Sequence, residues 1–408
     1  MSDAIARSFA SPAVAWRRGA IARVSALVAK ALLLGGTVVG SVFSSQAGTG
    51  MFALLLGMSC MAVSYAIGLI AIPAAGVVAI EGDQLRVERA GASVRVPLGN
   101  IASAFITRRM VDGVAQPTVE IEMRSGNTLS VRMADDEQAR QLVAGLGFAP
   151  GGKAVTIGLA RRTRRFLHLP MGFMSLLFGN FAGFLLSRLL FRDSSYSHDT
   201  ASAAWTVATA LIAALVYLLA KRMFAAPTVS IGHDGVLVKR FMKSTHVSRE
   251  ELFRVSLGGM TGPVVVERRD GRHIGLYGLL LDSARAYAAA DVAAERFANA
   301  PQPERANTFA RGGRPVSEWK AGIRAALDPG YRANGATLDD AAAVLASPSA
   351  TVDQRLGAAI ALRTAGQPTE RIRIAAEGAT DPRVRVALEA IAEDENDERL
   401  EKALRRLG

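Results

Sequence analysis

Four long apolar runs constrain this chain more than any other feature of its sequence. The runs lie at 24–43, 51–72, 169–190 and 203–220. A helix needs roughly 20 consecutive apolar residues to cross the hydrocarbon core of a bilayer, and each run is close to that length. The second run contains no charged residue, which is uncommon in helices that are buried in the core of a globular domain. The pattern therefore predicts four transmembrane helices.

The runs pair into two hairpins, because only the short segments 44–50 and 192–202 separate their members. Each hairpin returns the chain to its starting side, where basic residues flank the runs. The positive-inside rule makes that side cytoplasmic. Basic residues there are also candidates for contact with anionic lipid: Arg161, Arg162, Arg164, Arg165, Lys221 and Arg222. We therefore expect a multi-pass protein of the cell inner membrane with both termini in the cytoplasm.

Small residues at a spacing of four within two runs are candidates for close helix packing. They are Gly36 with Gly40, and Gly179 with Gly183. An alternative for the first run is a cleaved signal peptide with a small-residue site near Ala47. Against this alternative, the 23 residues ahead of the run form a long leader.

The second half of the apolar region repeats the first half. A shift of 151 residues places Val78 on Val229 and Asp83 on Asp234 without a gap, and it places the second apolar run on the fourth. Self-similarity at a fixed shift indicates duplicated structural units. We therefore expect two copies of a hairpin followed by a β-rich module.

Each predicted module has short strand patterns separated by turns and ends in an amphipathic helix. Residues 118–123 alternate apolar with polar side chains, as a half-buried strand does, and Asp135 is placed to cap the following helix. This order of elements resembles the bacterial pleckstrin-homology-like (PH-like) domains that follow transmembrane hairpins. The resemblance covers residues 76–148 and 227–298 and implies a binding or assembly role. A generic small β-barrel or sandwich is the alternative, and Arg108 with Arg109 is interpreted as a solvated basic face.

A helical tail follows a linker that is rich in Pro, Gly and Arg. A shift of 28 residues places the helix start at Asp353 on the one at Asp381. The run from Asp381 to Arg385 is similar to the helix start of HEAT-type repeats, which stack helix pairs into surfaces that bind proteins. This resemblance implies a protein partner for the tail. A compact helical bundle is the alternative, because only about two units are visible.

The net charge of +12 lies entirely in residues 1–300, since residues 301–408 hold 16 basic and 16 acidic side chains. A basic region beside predicted membrane segments indicates anionic membrane lipid as a partner. Nucleic acid is the rival partner, but the chain has no aromatic-and-basic platform or recognition motif for it.

Residues that commonly carry catalysis or bind metals are sparse. The single cysteine, Cys60, excludes an intramolecular disulfide and a cysteine metal cage. The five histidines lack the spacing of metal ligands, and the chain has no P-loop or nucleophile elbow. We therefore predict no catalytic, cofactor-binding or metal-binding residues and no cofactor. The expected function is a non-enzymatic integral membrane scaffold or sensor whose cytoplasmic modules bind anionic lipid or protein partners, with a small transporter or channel subunit, and then an enzyme, as alternatives.

The predicted fold class is a multidomain membrane protein. It combines four transmembrane α-helices in two hairpins, two small β-rich PH-like modules that each end in a helix, and an α-helical, HEAT-like tail. The predicted domains are a cytoplasmic N-terminus (1–23), hairpin 1 (24–72), module 1 (73–150), a basic linker (151–168), hairpin 2 (169–223), module 2 (224–299), a linker (300–315) and the tail (316–408).

Overall fold

The structure is a computed structural model that describes most of the chain outside the apolar runs. The described residues are 7–17, 73–159, 227–240, 243–258, 264–276, 282–298, 303–328, 335–393 and 397–405, with isolated positions between 189 and 219. They form two antiparallel β modules and a helical tail.

Module 1 is a seven-stranded antiparallel sheet followed by one helix. Its strands are β1 (Arg7–Arg17), β2 (Ala74–Glu81), β3 (Gln84–Arg89), β4 (Ala92–Pro97), β5 (Ile101–Val111), β6 (Val114–Met123) and β7 (Thr128–Arg132). Their order in the sheet is β4-β3-β2-β1-β7-β6-β5. Helix α1 (Asp136–Gly145) begins after Asp135, whose carboxylate accepts a hydrogen bond from the backbone N–H of Gln138 at 2.7 Å. The predicted helix cap is therefore confirmed.

Module 2 repeats this strand order and also ends in a helix. Its strands are β8 (Val155–Gly158), β9 (Thr228–Ile231), β10 (Gly235–Arg240), β11 (Lys243–Ser248), β12 (Leu252–Leu257), β13 (Val264–Arg268) and β14 (His273–Leu276), and helix α2 (Ser283–Phe297) follows. They form a four-stranded sheet, β11-β10-β9-β8, and a three-stranded sheet, β12-β13-β14. The shared order of strands agrees with the internal repeat found in the sequence.

The first strand of each module lies ahead of the segment that the sequence assigned to a hairpin. Strand β1 falls in the predicted N-terminal segment, and β8 falls in the predicted basic linker. Phe9 pairs with Val78, and Ile157 pairs with Val229. Because Val78 and Val229 are repeat equivalents, β1 and β8 are equivalent strands. The chain therefore leaves and re-enters each module at two neighbouring strands.

The membrane part of the predicted fold class is corrected by the helices. In the part of the chain that the structure describes, no helix is long and apolar enough to cross a bilayer. Helix α2 is the longest there, and its 15 residues include Arg285 and Glu295; such a helix spans about 22 Å, whereas a bilayer core is about 30 Å thick. The predicted hairpins at 24–72 and 169–223 lie outside the described residues, apart from isolated positions. On this finding we correct the prediction of four transmembrane helices and the multi-pass inner-membrane localisation that depended on it.

The two modules pack against each other through β5 of module 1 and through β8 and α2 of module 2. One apolar core runs through both modules. Within this contact the fully buried Glu120 pairs with Arg109 and, at 2.6 Å, with Arg285. Arg108 pairs with Asp291 of α2 at 2.7 Å. Arg108 and Arg109 were interpreted from the sequence as a solvated basic face. In the structure Arg108 forms an ion pair between the two modules, and Arg109 forms one within module 1, with Glu120 at the contact.

The tail consists of helices that pack largely in consecutive pairs. They are α3 (Val316–Leu327), α4 (Leu338–Ala346), α5 (Val352–Thr364), α6 (Glu370–Gly378), α7 (Pro382–Ala392) and α8 (Asp397–Arg405). Helix α4 packs on α5, and α6 packs on α7. Each helix begins and ends within two residues of the bounds that apolar periodicity and proline positions predict from the sequence, which are 316–327, 338–345, 352–365, 369–378, 382–392 and 397–407.

Part of the predicted linker belongs to the core of the tail. Residues Ala306–Phe309 form a 3-10 turn, and the Phe309 side chain is fully buried among the tail helices. The indole N–H of Trp319 donates a hydrogen bond to the Phe309 carbonyl at 3.0 Å. The composition of this segment suggested a flexible connection, but its one aromatic side chain anchors it.

Candidate functional site: the pocket between module 2 and the tail

Several buried charged and polar side chains meet where the tail docks on module 2. A pocket of about 620 Å³ opens at this place, which we call the junction pocket. The β9–β10 turn and the β11–β12 turn form one side of it, and the first turns of α5 and α7 form the other. The pocket is therefore built jointly by module 2 and the tail.

Asp234, in the β9–β10 turn, binds the two residues that lead into helix α7 of the tail. Its carboxylate accepts hydrogen bonds from the backbone N–H groups of Thr380 and Asp381 and from the Thr380 hydroxyl, each at 2.7 Å. These donors lie at the N-terminal end of α7, where unpaired N–H groups and the helix dipole favour a negative charge. Burial raises the pKa of Asp234, but His233 and these hydrogen bonds together lower it below its ordinary value.

His233 is buried between the same two parts of the chain. One ring nitrogen, Nδ1, lies 2.7 Å from the Arg355 guanidinium, and the other, Nε2, lies 2.9 Å from the carbonyl oxygen of Ala375. Arginine only donates, so Nδ1 accepts this bond and Nε2 carries the proton that goes to Ala375. Burial, together with the charge of Arg355, lowers the pKa of His233 to about 3. The imidazole is therefore neutral near pH 7, and both of its nitrogens are used.

Arg355 completes the buried network from helix α5. Only 1% of its surface is exposed. Its guanidinium donates to His233 and, at 2.7 Å, to the carbonyl oxygen of Ser347. Burial lowers its pKa to about 9, and the nearby Asp234 opposes that shift. Arg355 therefore stays cationic at neutral pH, with a carboxylate close by.

The backbones of module 2 and the tail approach each other so closely that the positions in contact require glycine. The backbone N–H of His233 donates to the Gly378 carbonyl at 3.2 Å. A Cβ added at Gly232 would lie 2.4 Å from that carbonyl oxygen, and one added at Gly378 would lie 2.7 Å from the carbonyl oxygen of Gly152. Such contacts exclude any side chain, so the docking depends on these glycines. An ion pair between Lys153 and Glu377 at 2.9 Å lies beside them.

The lining of the junction pocket includes three arginines besides Arg355. They are Arg249 and Arg269 of module 2 and Arg311 of the tail. The Arg249 guanidinium lies 5.9 Å from the centre of the Phe297 ring. Its Nη1 atom is buried, and among the described residues it has no hydrogen-bond partner. Burial, and then the charge of Arg269, lower the pKa of Arg249.

The site residues predicted from the sequence lie elsewhere. The ten candidates for lipid contact and helix packing all fall outside the described residues: Arg161, Arg162, Arg164, Arg165, Lys221, Arg222, Gly36, Gly40, Gly179 and Gly183. Sequence reasoning missed His233, Asp234 and Arg355. The repeat contained a usable signal, because the 151-residue shift places His233 on Gly82 and module 2 has a glycine on each side of its His-Asp pair.

The acidic and histidine side chains near the pocket show no metal-binding arrangement. His246 approaches Asp234 and Asp381 only at 3.9 Å from each. Across the described part of the chain, no group of three or more His, Cys, Asp or Glu side chains is placed to hold a metal ion. Comparison with known proteins assigns no family to this chain, since no protein-family model and no curated protein matches it.

Proposed function

We propose that this chain is a non-enzymatic scaffold in which the paired β modules hold the helical tail in a fixed position for a protein partner. The observation that carries the proposal is the buried network of His233, Asp234 and Arg355. Each of these side chains forms a hydrogen bond across the boundary between module 2 and the tail. Side chains that could otherwise act on a substrate are thus used to fix one part of the chain on another.

Burial energetics favour a fixed tail over a loosely tethered one. A buried charge is costly unless it is paired and hydrogen-bonded. Asp234 and Arg355 meet that condition only when the tail is docked, because Asp234 bonds to Thr380 and Asp381 of the tail and Arg355 bonds to His233 of module 2. The pairing of Glu120 with Arg285 has the same effect between the two modules. Modules and tail therefore favour one arrangement, as a scaffold requires.

The tail offers the surface that fits a protein partner. Helices α6 and α7 expose the apolar side chains Ile374 and Val386, beside the exposed arginines Arg371 and Arg383. Arginine together with apolar side chains is typical of protein interfaces. HEAT-type repeats, which the tail resembles, bind protein partners on surfaces made of stacked helix pairs. The resemblance of the modules to PH-like domains also implies a binding or assembly role.

Affinity purification of the tagged full chain from its own cells tests this function. We expect a protein partner at close to equal stoichiometry. The double variant Ile374→Asp with Val386→Asp should lose it, because the changes place charges on side chains that are 37% and 47% exposed. Tyr287→Asp is the matched control, since Tyr287 is a similarly exposed side chain on α2 of module 2. Retention of the partner by the double variant, or the absence of any stoichiometric partner, would refute the proposal.

A further inference from the structure

Three arginines that line the junction pocket, Arg249, Arg269 and Arg311, are not part of the buried docking network of His233, Asp234 and Arg355. Arg249 is half-buried beside Arg269, and within the described residues neither forms an ion pair with a carboxylate. The carboxylates that share the pocket are Glu250, Asp353, Asp381 and Asp234. Asp234 already accepts three hydrogen bonds from the start of α7. A buried cationic donor that has no acceptor among the described residues is costly, and a bound anion would supply that acceptor.

We propose that the junction pocket binds an anion bearing a phosphate group, held by Arg249, Arg269 and Arg311. The planar guanidinium fork matches the oxygens of a phosphate and can donate two parallel hydrogen bonds to it. Helix α5 opens into the same pocket at Thr351 and Val352. The positive end of its dipole and its first N–H groups add to the attraction for an anion.

The size and position of the pocket define the ligand further. A volume of about 620 Å³ exceeds what a bare phosphate fills, and it lies within the usual range for small-molecule sites. The ligand is therefore the phosphate group of a small organic phosphate or of a lipid headgroup. Arg249 and Arg269 belong to module 2, whereas Arg311 and α5 belong to the tail. A bound phosphate thus bridges the two parts and favours the docked tail, whether or not a protein partner binds.

Calorimetric titration of the full chain tests the site, with inorganic phosphate as the probe and chloride at equal ionic strength as the reference. We expect saturable binding of phosphate. Arg249→Gln and Arg269→Gln should each weaken it by about tenfold or more, the loss expected for a charge-assisted hydrogen bond. Arg269 is exposed, so its variant should fold even if Arg249→Gln does not. Arg272→Gln is the matched control, because Arg272 is a highly exposed arginine of the same module and lies outside the pocket.

A second arm distinguishes the two sources of the phosphate group by comparing soluble glycerol phosphate with phosphatidylcholine vesicles that contain phosphatidic acid. Tighter binding of glycerol phosphate than of inorganic phosphate, without binding to the vesicles, would assign the site to a small organic phosphate, and binding to the vesicles would assign it to a lipid headgroup. Three results would overturn the proposal: no saturable binding beyond the chloride reference, wild-type affinity in the Arg269→Gln variant, or equal loss in the Arg272→Gln control.

Discussion

Removal of the Asp234 carboxylate should release the tail from module 2. The substitution Asp234→Ala leaves the backbone N–H groups of Thr380 and Asp381 and the Thr380 hydroxyl without their shared acceptor. It also leaves the buried Arg355 without its nearby negative charge. All of these changes destabilise the docked state relative to the undocked state, because each of these groups can bond to water once the tail has separated.

The size of the effect follows from the number and burial of these bonds. A hydrogen bond to a charged group contributes about 1.5–3 kcal/mol, and removal of one partner from a buried ionic network costs about 3–5 kcal/mol. Asp234 is only 4% exposed, so solvent screens little of this energy. Taking 3–5 kcal/mol for the whole change, and about 1.4 kcal/mol for each factor of ten, the opening equilibrium of the junction should rise by a factor between roughly 10² and 4 × 10³.

Hydrogen exchange followed by mass spectrometry measures that equilibrium locally. Peptides covering 375–385 and 230–236 should exchange about a hundredfold faster in Asp234→Ala, while β5 and β6 of module 1 stay protected. Asp353→Ala is the matched control, because Asp353 is an exposed acidic residue in the first turn of α5. Equal exchange in wild type and Asp234→Ala would refute the role given to this carboxylate.

Three further predictions concern the same framework. The pKa of His233 is lowered to about 3, so between about pH 6.5 and 3 the unfolded chain binds a proton that the folded chain does not. The stability that neutral His233 contributes is therefore complete above pH 6.5 and falls by about 2 kcal/mol at pH 5. Hydrogen exchange at the junction should become faster on acidification, and a free energy of opening that does not change with pH would contradict this. Glu120→Gln should destabilise the contact between modules by about 3–5 kcal/mol in denaturant unfolding, whereas Glu137→Gln, at a side chain that is 68% exposed, should change little. Gly357→Ala should destabilise the tail by about 1–3 kcal/mol, because the new Cβ would lie 1.9 Å from the Phe309 carbonyl oxygen in the buried 3-10 turn. Gly322→Ala is the control and should be neutral or stabilising, because its Cβ would meet only a flexible guanidinium at 3.1 Å. A larger loss of stability in Gly322→Ala than in Gly357→Ala would contradict the packing.

Local patterns predicted the elements whose formation depends on neighbouring residues. The tail helices were predicted from local sequence, including the similar helix starts at Asp353 and Asp381. In the structure Thr351 and Gln354 form a reciprocal capping box at the start of α5. The shared strand order of the modules follows from the 151-residue repeat. Strands β1 and β8 were missed because their partners, β2 and β9, come about 60 and 70 residues later in the chain. A strand that is stabilised by so distant a partner leaves only a weak local signal.

The junction pocket could not be predicted from the sequence, because its residues also lie far apart along the chain. Arg355 and His233 are 122 residues apart in sequence, and Asp234 and Thr380 are 146 apart. Neither pair belongs to a motif with fixed spacing, and the tail repeat drew attention to Asp381 as a helix start rather than to its docking partner. The glycines beside His233 were the available sign of a close backbone approach, and only the fold shows what approaches.

Zero-length carbodiimide cross-linking tests the docking of the tail most directly. The Lys153 amine and the Glu377 carboxylate lie 2.9 Å apart across the junction, and both are accessible to the reagent. An amide between them forms only while the tail is docked. We expect a Lys153–Glu377 cross-linked peptide in the wild-type chain, a lower yield of it in Asp234→Ala, and an unchanged yield in the Asp353→Ala control. If Lys153 reacts in the wild-type chain but never with Glu377, the tail is not held against module 2 and the scaffold described here is wrong.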